Sequence, residues 1–420
     1  MTTRRVGVVT LALALASCAF GENLTFKGVT DKDPLSYKVG EKMTFTVTLV
    51  DKDAKNAPVK GRRLVWTFAD DDGKTSKGEA TSDEPLTVST SLSKPGFVRL
   101  TVNVLGANGK ALKGKTEKFD GGAGADVWRI ADYPEPADFD AFWKRQLADT
   151  AALKGEAKLE PCGTKDVKGY EIRKFELPMA EGARPATGVV GWPIGAKPKS
   201  LKLKVRVFGY GFGPTNFKKG DLAADTLSLA VTRHGEAPDR DGDYYTNLKT
   251  NVLKGFCFRA CEKPEETDQL AMLLRDWRAI QWAKTLPEWN GKDVAITGGS
   301  MGGFQSLALA ALDPEITDAV VTIPWHACVY GKAKFGRMTG WFPGWTEALG
   351  YLDTANFAKR IKCPVNMTIG LGDYICPPSG QMVLYRNLKC PKKLTVRQNM
   401  GHGAIYGVET AEYAYGGEAK

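Results

Sequence analysis

The stretch Asp293-Val-Ala-Ile-Thr-Gly-Gly-Ser-Met-Gly-Gly303 leads from a short apolar run into an apolar segment of helical length, Phe304 to Leu312. Within it, Gly298, Ser300 and Gly302 form the Gly-x-Ser-x-Gly pattern of a nucleophile elbow, a sharp strand-to-helix turn that lifts a serine hydroxyl above a sheet. An ordinary glycine-rich turn is the alternative, because this short pattern also occurs by chance. A phosphate-binding loop is disfavoured, since the turn contains neither Gly-x-Gly-x-x-Gly nor Gly-Lys-Ser/Thr. The strand before Ser300 and the helix after it favour the elbow.

Strand-like and helix-like segments alternate on both sides of this turn, from about residue 126 onward. Apolar runs predict strands at 203–208, 227–232, 293–297, 319–323, 365–369 and 394–397. Helical periodicity predicts helices at 266–285, 304–312 and 381–388, and one that begins between Pro134 and Trp143. Such alternation builds a mainly parallel sheet covered by helices on both faces, so the sequence predicts a three-layer α/β domain.

The first part of the chain has a different periodicity. Runs such as Met43–Val50 and Phe97–Leu105 alternate apolar and polar residues, which predicts antiparallel strands. Several such strands within about a hundred residues indicate a small immunoglobulin-like β-sandwich. The segment Asp120-Gly-Gly-Ala-Gly124 is interpreted as a linker. We therefore expect a sandwich over 22–122 and the α/β domain over 126–420, with the sandwich dispensable for activity on small substrates.

A serine hydroxyl becomes a good nucleophile when a base takes its proton and a carboxylate orients that base. Where an elbow carries the serine, the chain order is serine, acid, histidine. Asp373 comes directly after the predicted strand 365–369, and His402 is the one histidine that follows it. Asp353 is the rival acid, but it precedes a predicted helix and is interpreted as an N-cap. His234 lies before the acid, so a substrate contact or a structural role is expected for it.

An acyl-transfer site also needs hydrogen-bond donors for the oxyanion. One is expected from the backbone N–H of Met301, directly after the serine. The second is expected from Tyr210, in the glycine-rich loop Phe208-Gly-Tyr-Gly211 that follows an earlier strand. The aromatic stretch 325–345 also follows a strand, and its candidates for lining the pocket and contacting a substrate are Trp325, His326 and Trp341. Aromatic residues packed in a core are the equally weighted alternative.

The composition excludes several classes of protein. With 43% apolar and 25% charged residues, the 420-residue chain is neither disordered nor collagenous. No apolar run reaches the ~18 residues needed to cross a bilayer. The net charge of +10 comes from scattered lysines without a nucleic-acid-binding motif, so no nucleic-acid partner is expected. Eight cysteines and three histidines show no metal-ligand spacing, and no zinc or other metal site is expected.

Residues 1–21 have the form of a secretory signal peptide, with two arginines, a short apolar run and small residues at its end. We therefore expect a secreted or periplasmic protein. The sequence Leu15-Ala-Ser-Cys18 also resembles a lipoprotein box, and an outer-membrane lipoprotein acylated at Cys18 is the alternative. Seven cysteines remain when Cys18 is set aside, so at least one thiol is expected to stay unpaired.

Three segments together resemble one known family. They are the elbow sequence 293–303, the segment Gly370-Leu-Gly-Asp-Tyr-Ile-Cys-Pro-Pro-Ser379, and Gly401-His-Gly403. They are similar to the acetyl xylan esterase and cephalosporin-C deacetylase family, carbohydrate esterase family seven, over roughly residues 130–415. The resemblance implies an α/β-hydrolase fold and no metal or organic cofactor. It also implies site roles for five residues: a triad of Ser300, Asp373 and His402, and oxyanion amides at Tyr210 and Met301.

Two segments depart from the family pattern. Arg233-His-Gly-Glu236 stands where the family usually has Arg-Gly-Gln, and Phe208-Gly-Tyr210 stands where it usually has His-Gly-Tyr. We therefore expect a diverged branch with an added β-sandwich, and whether it forms a homo-oligomer is left open.

The resemblance implies a secreted serine esterase that removes acetyl or related acyl groups from plant polysaccharides such as xylan, or from their oligosaccharides. An acylated carbohydrate is then the expected substrate. A feruloyl-type esterase and a prolyl-oligopeptidase-like peptidase are alternatives, because both use the same triad. A catalytically inactive carbohydrate-binding protein is the alternative from another class.

Overall fold

A computed structural model of the chain describes residues 23–106, 109–110, 118–162, 167–405, 408 and 411–416. The predicted signal peptide and Cys18 lie outside these ranges. Among the described residues, no helix is both long and apolar enough to cross a membrane.

The first part of the chain is a sandwich of two antiparallel sheets, as its alternating sequence predicts. Side chains alternate between the core and the outer surface along its longer strands, and rings from facing strands, Phe45 and Phe68, have centroids 5.6 Å apart. One sheet has the order β1-β2-β3 with β6 also on β2, and the other has the order β5-β4-β7-β8. The strands are β1 Leu24–Thr30, β2 Met43–Asp51, β3 Ala57–Pro58, β4 Arg63–Asp70, β5 Thr75–Thr81, β6 Leu86–Thr90, β7 Gly96–Val104 and β8 Phe119–Ala125.

Strand β8 corrects the predicted domain boundary. The segment Asp120–Gly124, interpreted as a linker, lies inside this strand, which pairs with β7 in a continuous antiparallel register. Every residue of β8 is buried. The prediction of a linker is therefore wrong, and the sandwich extends to Ala125.

The rest of the chain is built on one ten-stranded sheet with the order β18-β17-β16-β15-β14-β12-β13-β11-β10-β9. Strands β13, β12, β14, β15, β16 and β17 are parallel to one another, and the strands at both edges are antiparallel. The strands are β9 Lys158–Pro161, β10 Tyr170–Leu177, β11 Ala186–Pro193, β12 Leu201–Arg206, β13 Thr226–Val231, β14 Trp289–Gly299, β15 Asp318–Thr322, β16 Val365–Gly370, β17 Lys392–Arg397 and β18 Glu412–Tyr415. This sheet is the predicted α/β domain.

Helices follow the strands and pack on the sheet. In the described part of the chain they are α1 Phe139–Ala152, α2 Gly242–Asn247, α3 Asp268–Ala283, α4 Met301–Leu312, α5 Gly331–Phe335, α6 Thr354–Phe357 and α7 Pro378–Asn387. Helix α3 contacts β11 and β13, α4 contacts β14 and β15, and α7 contacts β16. Helix α3 starts at Asp268 because the Thr267 hydroxyl caps it, accepting from Leu270 N at 3.1 Å. Asp353 caps α6 by accepting from Ala355 N, which confirms its predicted role.

The parallel strands gather four connections at one edge of the sheet. These are the loop after β12 at Phe208, the elbow after β14, the acid loop (residues 371–377) after β16 and the base loop (residues 398–405) after β17. Carboxyl ends of parallel strands meet at one edge, which is where α/β folds bind their ligands. The fold thus brings the predicted site residues together from distant parts of the sequence.

Candidate active site

The turn at Ser300 is a strained elbow. Ser300 has φ 56° and ψ −119°, a conformation that non-glycine residues rarely adopt and that costs of order 1–3 kcal/mol. Two backbone hydrogen bonds hold it, from Ser300 N to Thr322 O and from Trp325 N to Ser300 O, both 2.9 Å. A Cβ on Gly298 would lie 2.3 Å from the carbonyl oxygen of Gly302. The Gly-x-Ser-x-Gly pattern is therefore a steric requirement of this turn.

Ser300, His402 and Asp373 form a continuous chain of hydrogen bonds. The His402 Nε2 atom is 3.0 Å from Ser300 Oγ, and His402 Nδ1 is 3.1 Å from Asp373 Oδ2. The Asp373 carboxylate is buried, and its Oδ1 accepts from the backbone N–H groups of Ile375 and Cys376 at 2.8 and 2.9 Å. These two bonds fix the carboxylate so that it faces the imidazole. The fold thus brings the predicted serine, base and acid into contact, although they lie far apart in the sequence.

A cysteine lies beside the serine. The Cys376 thiol is a neighbour of the Ser300 hydroxyl and is fully buried. Burial raises the pKa of this thiol well above its usual value. Because the thiolate is the nucleophilic form of cysteine, a neutral Cys376 does not compete with Ser300. The sequence contains this residue in the Cys-Pro-Pro-Ser segment, but its place beside the serine could not be predicted.

Met301 and Tyr210, the two residues predicted to supply oxyanion amides, both line the space beside Ser300. Met301 is the first residue of α4, whose first-turn N–H groups have no acceptor within the helix. On the other side, Arg233 Nε donates to Gly209 O at 2.6 Å. The Gly209 carbonyl and the Tyr210 N–H belong to one planar trans peptide and point in opposite directions. Arg233 therefore fixes the direction of the Tyr210 N–H, although sequence reasoning gave Arg233 no role.

A cavity of about 470 Å³ opens above the serine. Its walls are mostly apolar, and the residues that line it are Gly209, Tyr210, Ser300, Met301, Trp325, Trp341, Ile375 and His402. Trp325 is buried, and its Nε1–H donates to Trp341 O at 2.8 Å. The Trp341 N–H in turn donates to Ile375 O at 2.9 Å. Trp325 and Trp341, both predicted to line the pocket, thus form one hydrogen-bonded wall of the cavity. Ile375 also lines the cavity, which the sequence analysis did not predict.

Exposed rings surround the mouth of this cavity. Tyr210 is 46% exposed, and its ring stacks on Phe256 with centroids 5.6 Å apart. Phe258 is 43% exposed and meets Trp341 edge-on at 4.8 Å. Large apolar side chains that face solvent beside a reactive group indicate a binding surface. The short segment that carries Phe256 and Phe258 gave no signal in the sequence, because isolated aromatic residues usually belong to a core.

His326 is not part of the cavity, which corrects the expectation that it contacts substrate. It is fully buried behind Trp325, with ring centroids 4.5 Å apart, and its Nδ1 is 3.0 Å from Leu352 O. Burial lowers its pKa to about 4, so this ring is neutral at neutral pH. His234 is also buried, and burial together with nearby arginines lowers its pKa to about 3. His402 is the one histidine that reaches the cavity.

The structure also brings together a set of atoms that could hold a metal ion, which the sequence spacing did not indicate. Ligand atoms of Asp373, Cys376 and His402 lie within 4.8 Å of one another. An oxygen, a sulfur and a nitrogen form a donor set that zinc accepts. A metal bound there would take atoms of Asp373 and His402 that now face each other. Metal binding and the Ser300–His402–Asp373 chain therefore exclude one another.

Comparison with known proteins places this geometry in a family. The family model for acetyl xylan esterase (AXE1) matches residues 129–334 and 345–416. The acetyl esterase Axe7A of Xylanibacter ruminicola is 26% identical over 328 residues, which are 72% of this chain and 70% of that protein.

Two solved structures have the same fold. The acetyl xylan esterase from Paenibacillus sp. R4 superposes with a TM-score of 0.57 at 22% identity, covering 66% of this chain and 94% of its own. Acetyl xylan esterase 1 from Thermoanaerobacterium sp. JW/SL YS485 superposes with a TM-score of 0.53 at 22% identity, covering 66% of this chain and 92% of its own. These similarities confirm the α/β-hydrolase fold and the resemblance seen in the sequence. The chain belongs to the acetyl xylan esterase family and is a carboxylic ester hydrolase.

Proposed function

We propose that this enzyme removes acetyl groups from xylan-type plant polysaccharides or their oligosaccharides, through a covalent acetyl-enzyme on Ser300. The observation that carries the proposal is the hydrogen-bond chain from Ser300 Oγ through His402 to Asp373 at the floor of the apolar cavity. We also propose that the enzyme works outside the cytoplasm, on the strength of the signal-like residues 1–21.

In the first half-reaction His402 Nε2 accepts the proton of Ser300, and Oγ attacks the acetyl carbonyl carbon. The oxyanion that forms accepts hydrogen bonds from the Met301 and Tyr210 N–H groups. Removing one such donor from a serine enzyme costs about 10²–10³ in kcat. His402 then gives its proton to the sugar oxygen as the C–O bond to the acyl carbon breaks, and the deacetylated sugar leaves.

In the second half-reaction water takes the place of the sugar. His402 accepts a proton from the water, which attacks the acetyl-enzyme, and the proton passes to Ser300 Oγ as acetate leaves. Asp373 keeps its charge throughout and stabilises the imidazolium that forms in each step. The two backbone N–H bonds that Asp373 accepts hold it in place for this role.

The apolar wall of the cavity supports binding of the acyl group. Trp325, Trp341 and Ile375 line the space above Ser300, where the methyl group of an acetyl ester can lie against apolar surface. The exposed rings of Tyr210 and Phe258 offer flat apolar surfaces on which a sugar ring can lie.

Parallel assays test the substrate class. Acetylated xylan, p-nitrophenyl acetate, methyl ferulate and a prolyl-peptide amide are offered to the wild type and to Ser300→Ala. We expect acetate release from both acetyl esters, at least about 100-fold lower kcat/KM on the other two substrates, and background rates for Ser300→Ala. Faster turnover of methyl ferulate or of the peptide would refute the proposal in favour of that alternative. Binding of acetylated xylan without acetate release would identify a binding protein instead.

A further inference from the structure

The β-sandwich lies directly against the two loops that carry the acid and the base. Strand β8 is fully buried between its own sheet and the hydrolase domain. Its Gly122 N–H donates to Gln398 O, in the base loop, at 3.3 Å. The acid and base loops also bond to each other, from Gly372 N to Met400 O at 3.0 Å. Strand β8 and the two loops therefore form one hydrogen-bonded layer.

Glycines make this close approach possible. A Cβ on Gly122 would lie 2.4 Å from the carbonyl oxygen of Leu371, at the start of the acid loop. A Cβ on Gly372 would lie 2.4 Å from the carbonyl oxygen of Asp120, on the opposite side of the contact. Real Cβ atoms do not come this near to a carbonyl oxygen. The backbone of the sandwich and the backbone that precedes Asp373 thus touch, with no side chain between them.

The base loop is anchored to strand β1 of the sandwich as well. Asn399 Nδ2 donates to Gly28 O, and Gln398 Nε2 donates to Thr30 Oγ1, both at 2.7 Å. The Asn399 and Gln398 side chains are fully buried. Buried amides that lose such partners leave unsatisfied polar groups in the interior and destabilise a protein. These two bonds fix the chain three and four residues before His402.

A cation of the sandwich holds the residue next to the catalytic acid. Arg99 in β7 makes two hydrogen bonds of 2.7 Å to the buried carboxylate of Asp120 in β8. Its guanidinium carbon lies 4.7 Å from the ring centroid of Tyr374, which directly follows Asp373. The bidentate pair holds the guanidinium over this ring. Lys118 lies on the same ring at 5.2 Å.

We propose that the sandwich is a positioning element for catalysis, in which Gly122 and Arg99 keep the acid and base loops aligned with Ser300. The inference rests on the proposed triad. The backbone of Ser300 is bonded directly to the hydrolase domain, at Thr322 and Trp325, whereas Asp373 and His402 lie on loops that the sandwich supports from behind. A misplacement of about 1 Å at such a site costs on the order of 10² in rate. We therefore expect the sandwich to be required for full activity even on small esters, contrary to the expectation from the sequence.

Full-length Gly122→Ala tests the backbone contact. The added methyl group would lie 2.4 Å from Leu371 O in the acid loop and 2.7 Å from Val98 O in β7, so β8 and the acid loop must move apart. We expect kcat on p-nitrophenyl acetate to fall roughly 10- to 100-fold, with KM changed less than about threefold. The matched control is Gly220→Ala, where a Cβ meets nothing within 4 Å and no change is expected. A folded Gly122→Ala enzyme with kcat within twofold of the wild type overturns the proposal.

Arg99→Ala tests the contact between the Arg99 guanidinium and Tyr374. If Gly122→Ala does not fold, this variant alone tests the positioning role of the sandwich. We expect kcat to fall about 5- to 10-fold at unchanged KM, with partial recovery in Arg99→Lys, which keeps a cation but not the bidentate pair. The matched control is Arg63→Ala in the same sheet, whose ion pair with Glu79 is exposed and is expected to have no effect. Equal kcat values for folded Arg99→Ala and Arg63→Ala overturn the role of Arg99.

The rate of covalent labelling by a fluorophosphonate separates this inference from the proposed substrate. The probe reports how well Ser300 is activated, whatever ester the enzyme prefers. A wild type that labels quickly but leaves acetyl esters intact refutes the proposed substrate alone. Slower labelling of Gly122→Ala and Arg99→Ala than of their controls supports the positioning role. Identical labelling rates refute it.

Discussion

Single residues of the site differ in what the sequence reveals about them. Ser300 was predicted because the elbow that carries it has a sequence motif, and Asp373 and His402 were predicted because the α/β-hydrolase fold imposes the chain order serine, acid, histidine. His326 was assigned wrongly because it follows a strand, as site residues do, while its burial depends on a loop that folds back over it. The structure shows that the left-handed backbone of His326, with φ 62°, turns its ring into the core.

The three triad residues are expected to act as one unit. Ser300→Ala, Asp373→Asn and His402→Ala should each lower kcat on p-nitrophenyl acetate by at least about 10³, because each breaks the same proton path. A double variant of Ser300 and His402 should lose no more than either single variant. Losses that multiply in the double variant would mean that the two residues act separately.

The buried imidazole of His326 predicts a dependence of stability on pH. Its folded pKa of about 4 lies below the ~6.5 of an unfolded histidine, so the unfolded state binds more protons between these values. As the pH falls from 7 to 5, protonation of this group in the unfolded state therefore lowers the free energy of unfolding of the wild type by about 2 kcal/mol.

The matching variant is His326→Asn, because asparagine tolerates a positive φ and keeps a donor for Leu352 O. Urea unfolding should show that the destabilisation caused by this variant is about 2 kcal/mol smaller at pH 5 than at pH 7. Phe304→Leu, which alters packing against the same ring without a titrating group, should cost the same at both values. Equal differences for His326→Asn at both pH values would contradict the prediction.

Helices and strands could be predicted from the sequence where the spacing of their apolar residues is clear. The parallel strands and the helices α3, α4 and α7 were placed to within a few residues, since their apolar patterns are strong. Strands β9 to β11 and β18 were missed. Strands β9 and β18 are the two edge strands of the sheet and bury little, whereas β10 and β11 lie inside the sheet and their sequences do not alternate clearly between apolar and polar residues. Strand β8 was mistaken for a linker because its glycines, which signal a turn in a free sequence, are needed here for close contact with another domain.

The elbow is the element whose sequence is most constrained. In Gly298→Ala the new methyl group would overlap the Gly302 carbonyl, so either β14 or the start of α4 must move. We expect a loss of about 1–3 kcal/mol in the free energy of unfolding, as for other overpacked sites, together with a fall in kcat. Urea denaturation and initial rates measure the two effects. Gly242→Ala, where a Cβ meets nothing within 4 Å, should leave both unchanged.

The arrangement of the two domains could not be predicted, because its contacts join residues that are hundreds of positions apart. The buried carboxylate of Asp71, in the sandwich, accepts from Phe97 N at 2.8 Å and from Met338 N of the hydrolase domain at 3.0 Å. Nearby, Lys94 Nζ donates to Phe335 O at 2.8 Å. These bonds tie the sandwich to the segment that leads to Trp341 in the cavity wall. No local pattern in either domain carries this information.

Although Asp71 lies in the sandwich, it should therefore affect the temperature at which the hydrolase domain loses its esterase activity. Burial raises the pKa of Asp71 to about 6, so its carboxyl group is mostly ionised at pH 7 and binds both N–H groups. Asp71→Ala leaves the buried Phe97 N–H and the partly buried Met338 N–H without this acceptor, which costs about 3 kcal/mol. We expect the loss of esterase activity on heating and the calorimetric transition to shift downward together by several degrees. Asp83→Ala, which removes an exposed bond to Gly61 N inside the sandwich, should shift neither. Activity that survived in Asp71→Ala to the wild-type temperature would show that the two domains unfold independently.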